Sequence, residues 1–109
     1  DPVEIAKEMT RKLKEEKKCD LIICISHLGH TYQDDKISDL KLAAATKDID
    51  LIIGGHTHTF LPKPTLVKNV NNETVIVNQV GAYGVNLGRI DFYFDNQSNK
   101  EISNKTIIV

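Results

Sequence analysis

Two imidazoles stand one residue apart in Gly54-Gly55-His56-Thr57-His58, and a third closes the run Ile25-Ser26-His27. Neutral imidazole ligates zinc, manganese and iron, so three of the chain's four histidines fall where a divalent metal can be held. In a straight strand alternate side chains share a face, so a His-x-His pair meets one ion only from a kinked backbone. A loop just past a strand can instead aim the two rings at neighbouring ions. Gly54 and Gly55 let the backbone turn sharply and approach another group closely, because no Cβ stands in the way. Taken singly, a histidine is more often a surface or core residue than a ligand. The metal reading rests on three of them at the ends of two strands.

The elements that must position these rings follow from apolar patterning. Leu51-Ile52-Ile53 reads as a short buried strand ending at the glycines. Residues 21–26 form a nearly continuous apolar run, expected to be a strand covered on both faces of a parallel or mixed sheet. Between them the pattern predicts a polar loop and a helix over about 36–46, with Asp35 as cap and Ile37, Leu40, Leu42, Ala43 and Ala44 on its buried side. Strand, helix and strand make a right-handed βαβ unit with parallel strands, which brings His27 and His56 to one sheet edge. Open α/β sheets place ligands at that carboxyl edge.

An amino-terminal helix precedes this unit. Asp1 is its expected N-cap, Pro2 its first residue and Glu4 the partner in a capping box, with Val3, Ile5, Ala6, Met9 and Leu13 as its apolar stripe. The Lys/Glu run that follows reads as a solvated face. Past Thr59, Pro62 and Pro64 exclude a central strand. Residues 65–70 and 74–80 then read as a hairpin about Asn71-Asn72-Glu73, 87–95 as a half-exposed antiparallel strand, 96–100 as a polar turn and 102–109 as a last strand. The expected class is α/β: a βαβ unit followed by antiparallel strands.

At 109 residues, 40% hydrophobic and 27% charged, the chain has the composition of one globular domain. With 14 basic and 15 acidic residues there is no electrostatic case for a nucleic-acid partner. No apolar run approaches the roughly 18 to 20 residues a membrane-spanning helix needs, and the first residues lack the pattern of a secretion signal. Cys19 and Cys24 flank an extended segment that holds their Cα atoms beyond the ~7 Å a disulfide tolerates, so they are expected to be unpaired, buried thiols.

Ser26-His27-Leu28-Gly29, Gly54-Gly55-His56-Thr57-His58, Val77-Asn78-Gln79-Val80-Gly81-Ala82-Tyr83-Gly84 and Leu87-Gly88-Arg89-Ile90 together resemble the calcineurin-like metallophosphoesterase superfamily, in particular its bacterial 5′-nucleotidase branch. The likeness covers about positions 1–95. It implies a four-layer α-β-β-α sandwich with a site for two divalent ions, zinc, manganese or iron, in which His27 and His56 ligate one ion and His58 the other. A bridging water of lowered pKa would attack the phosphorus of a nucleotide or other phosphomonoester, with no side-chain nucleophile. The resemblance also implies a periplasmic or cell-surface setting.

The family's remaining ligands come from Asp-x-His, Gly-Asp and Asn-His elements, and this sequence contains none of these. Three imidazoles without a bridging carboxylate do not offset the repulsion between two close dications. The expectation is therefore that residues 1–109 are the C-terminal half of a metallophosphoesterase domain, lacking the N-terminal half and the nucleotide-recognition domain. Alone, it should bind metal weakly and leave an apolar sheet face without a partner. Two alternatives stand beside this: a non-catalytic binding or scaffold module that keeps the fold, and, less well supported, a single-zinc hydrolase of another class.

Other polar residues carry weaker readings. His30 is expected to be an exposed loop histidine. Asp34 and Asp35 are candidates for capping or for orienting a ligand imidazole. Asn78 and Gln79 read as strand and turn residues, and Tyr83 serves equally for packing or for base stacking.

Overall fold

The computed structural model describes residues 1–97 and 100–108. Helix α1, Pro2–Arg11, starts where Asp1 accepts a hydrogen bond from the Val3 amide, and it loosens into one π turn at Lys12–Glu16. The capping box does not close, because Glu4 pairs with Lys7 instead. The apolar stripe also splits. Val3 and Ala6 pack on the core, while Ile5 and Met9 are largely exposed.

Strands β1 (Ile23–Ile25), β2 (Leu51–Ile53), β3 (Thr65–Lys68) and β4 (Thr74–Asn78) form one sheet in the order β1-β2-β4-β3. β1 runs parallel to β2, with Ile23 beside Leu51 and Ile25 beside Ile53. β2 in turn runs parallel to β4, with Ile53 beside Asn78. The hairpin β3-β4 pairs Thr65 with Val77 and Lys68 with Thr74. The expected βαβ unit and hairpin are thus both present, and the hairpin places β4 in the sheet interior. Strands β5 (Asn86–Phe94) and β6 (Lys100–Ile108) make a separate antiparallel ribbon. Part of the expected 96–100 turn, and Val109 at the end of the expected last strand, lie outside the described residues.

Helix α2 spans Asp39–Ala45 and is capped by Ser38, whose hydroxyl accepts from the Lys41 amide. This corrects the expected start at Asp35. The loop before the helix decides the matter: the Asp39 and Leu40 amides donate to the Gly29 and His30 carbonyls, so the helix begins where that loop docks. Asp34 instead closes a turn on the Lys36 amide. Ala44, expected to be buried, is exposed.

One face of the four-stranded sheet is closed. Ile52, Val75 and Val77 meet Leu42, Ala43 and Ile49, with Val3, Ala6, Cys24, Leu40 and Val67 packed around them. On the opposite face Leu51 and Ile76 are buried, but Ile23, Ile25 and Ile53 are exposed, Ile25 by 85%. The expectation that the first strand is covered on both faces therefore fails. Ile25 is left uncovered, and Ile23 faces β5 only across an open groove. Burying three such side chains would be worth roughly 1.5–3 kcal/mol each. A groove of about 550 Å³ separates this face from β5. Both cysteines are free, as their spacing requires, but each is half-buried rather than buried as expected. No helix among the described residues is long and apolar enough to cross a membrane.

Candidate metal centre

The site grows from two adjacent strand ends. After β1 the Ser26 amide adds one more ladder bond to the Ile53 carbonyl, and after β2 the Gly54 amide does the same to Asn78. The chain then leaves the sheet at His27 and at Gly55, side by side. The His27 and His56 rings lie with centroids 5.2 Å apart and planes at 70°. Gly55 makes this approach possible, since a Cβ there would sit 3.0 Å from His27 Nδ1. Both rings are exposed, so their lone pairs are open to a ligand.

His56 and His58 both adopt left-handed backbone conformations, φ 71° and 49°, a region sparsely occupied by residues other than glycine. This kink splits the pair: His56 turns to His27, and His58 turns to Tyr83, whose ring centroid is 5.8 Å away. Tyr83 is itself left-handed, φ 62°, and 90% exposed.

Buried polar side chains hold this arrangement from below. Asp39, fully buried, accepts a hydrogen bond from the Ser26 hydroxyl, which itself accepts from the Leu28 amide and so brackets His27. Its other oxygen, Oδ2, has no hydrogen-bond partner and lies where a Cβ on Gly54 would be. Burial pushes the Asp39 carboxyl above the usual carboxylate range, opposed by the Ser26 hydrogen bond and by the positive character of His30 and His27. The Cys24 thiol is raised too, first by burial and then by the Asp39 charge. Gln79, just past β4, donates from Nε2 to the Gly55 carbonyl at 2.9 Å and accepts from the Thr59 amide. Thr57 joins the two turns by accepting from the His30 amide at 3.0 Å.

His30 corrects its sequence reading. It is buried, and Nε2 is paired with the Thr65 hydroxyl at 3.0 Å, fastening the first turn to β3 rather than facing solvent. Asp39 and Gln79 were not recognised from sequence as parts of the site. Asp39 has the look of an ordinary first-turn helix acid, and Gln79 finds its partners, two backbone groups and the Thr57 hydroxyl, 20 to 24 residues away.

The donor set fits part of a metal site. Two neighbouring exposed imidazoles are suited to a divalent ion, yet among the described residues no three His, Cys, Asp or Glu side chains gather closely enough to hold one. The Asp39 carboxylate is buried behind the rings, with Oδ1 bonded to Ser26. A two-ion site would need carboxylates that the described residues do not bring to these rings.

Comparison with known proteins places the chain. No family model matches it. It is 43% identical over 97 residues to the trifunctional nucleotide phosphoesterase protein YfkN of Bacillus subtilis, covering 89% of this chain and 6% of that protein. It is 34% identical to the 5′-nucleotidase of Vibrio vulnificus, over 94% of this chain and 22% of the relative. The 5′-nucleotidase precursor structure from Thermus thermophilus superposes with a TM-score of 0.83 at 30% identity, covering 99% of this chain and 22% of that one. The fold is that of one segment of the 5′-nucleotidases, and the chain is homologous to that segment. It spans less than a quarter of the length of each of these relatives.

Proposed function

We propose that this chain is the C-terminal part of a two-metal phosphoesterase domain that hydrolyses nucleotides. The observation that carries the reading is the pairing of His27 and His56, brought 5.2 Å apart by adjacent parallel strands in a chain homologous to 5′-nucleotidases. His27 and His56 would serve one divalent ion and His58, turned the other way, its neighbour. Such ions supply Lewis acidity toward the phosphoryl oxygens and a water activated as nucleophile. The chain's own residues contribute exposed imidazoles held in fixed directions, so that little reorganisation accompanies ligand binding. The remaining ligands, and the surface that recognises the nucleoside, belong to segments present in the longer relatives.

The test is complementation. Expressed with the amino-terminal segment of a 5′-nucleotidase relative, the chain should give metal-dependent release of phosphate from a nucleoside monophosphate, and His56→Ala should abolish it. Undiminished release by His56→Ala would overturn the assignment.

A further inference from the structure

The feature that the proposed chemistry leaves unused is Gln79, a 3% exposed amide at the end of the third strand of the parallel set. Its hydrogen bonds go to the turn that carries the histidines and not to their rings. It spans the histidine turn from one end to the other: Nε2 donates to the Gly55 carbonyl just before His56, and Oε1 accepts from the Thr59 amide just after His58. The Thr57 hydroxyl, between the two histidines, adds a third contact to the same Oε1 at 3.3 Å. Both ends and the middle of the turn are therefore tied to one rigid, planar group.

The turn needs such a tie. Two non-glycine residues with positive φ in one five-residue stretch each cost about 1–2 kcal/mol relative to ordinary backbone, so the free segment relaxes away from this shape. Relaxation would rotate the His56 and His58 rings away from the directions they now hold, toward His27 and toward Tyr83. A carboxamide is the side chain that can meet the demand. It must donate to a carbonyl and accept from an amide at once: a carboxylate only accepts, an apolar group does neither, and a hydroxyl offers both from a single atom that does not span two separated partners.

We infer that Gln79 is a positioning residue for the metal centre, setting the angle between the His56 and His58 imidazoles through the backbone of the turn that carries them. The inference rests on the metal assignment proposed above. Partners that orient ligands from outside the coordination sphere typically change metal affinity about 10–100-fold when removed.

The experiment uses the full-length protein containing this chain, stripped of metal and titrated with Mn²⁺ alone in competition with a chelator. Gln79→Met, which keeps the volume and loses all three hydrogen bonds, should weaken Mn²⁺ binding about 10–100-fold. At saturating Mn²⁺ it should recover most of its kcat with an unchanged KM for nucleotide. In the metal-free protein the Thr59 amide should exchange faster with solvent. If Gln79→Met does not fold, Gln79→Asn, an amide too short to span both partners, carries the same measurement. Faster exchange at Thr59 with unchanged Mn²⁺ affinity would show a structural tie only and overturn the inference. Should the unaltered protein bind no Mn²⁺, or bind it as tightly after His56→Ala, the metal assignment itself fails, and the inference with it.

Discussion

The two turns at the histidine edge solve the same problem in opposite ways. In the first, Gly29 takes the left-handed conformation, φ 98°, His30 is folded inward, and His27 alone faces out. In the second, Gly54 and Gly55 have ordinary backbone angles and the left-handed positions fall on His56 and His58 themselves. The glycines of the second turn therefore supply room rather than conformational freedom: Gly54 clears Asp39, and Gly55 clears His27. One turn is anchored by a carboxylate and a buried imidazole, the other by a neutral amide. The strained turn, with two candidate ligands, is thus held by a group that does not titrate, and the relaxed turn in part by Asp39, whose pKa burial raises.

Substitutions at matched positions sharpen this contrast. The largest effect is expected at Gly54→Ala, whose methyl would overlap the buried Asp39 carboxylate, at a cost of about 3 kcal/mol. Denaturant unfolding measures it, and a loss below about 0.5 kcal/mol would mean that Asp39 moves aside freely. His30→Ala comes next. It leaves the Thr65 hydroxyl without its partner and a void beside it, for a loss of about 2 kcal/mol on the same measurement.

A pH series separates the two anchors. The folded-state pKa of Asp39 is raised above its ordinary 3.8, so between these two values the folded chain holds a proton the unfolded chain has released. Its contribution is therefore most favourable below about pH 3.8 and declines as pH rises through the folded value. Asp39→Asn should remove that decline from the unfolding midpoint, whereas Gln79→Met should shift the midpoint equally at every pH. The smallest effect is expected at His56→Gly. Relief of the left-handed backbone outweighs the added chain entropy by about 0.5–1 kcal/mol, so this variant should be slightly more stable while losing metal-dependent activity. A destabilised His56→Gly would show that the ring contributes packing at this edge.

The sheet was legible in the sequence because its strands are apolar runs bounded by glycine, proline and polar clusters, and the paired histidines followed from their places in that pattern. What escaped was tertiary. Ser38 displaces Asp35 as the helix cap because the carbonyls of Gly29 and His30, well before the helix in the chain, capture its first amides. His30 is buried because Thr65, 35 positions later, meets its ring. Ile25 reads as core from its apolar neighbours, but the face it shares with Ile23 and Ile53 is left open, and whether a sheet face is covered is not written in the run itself.

The left-handed backbone at positions 56 and 58 also limits which amino acids can replace the histidines there. The side chains that tolerate this region best, after glycine, are asparagine, aspartate and histidine, and each of these three also carries a lone pair for a cation. Cysteine and glutamate can coordinate but are less at ease in that conformation. The shape of the turn therefore narrows the workable alphabet at each position to three letters before any metal is considered.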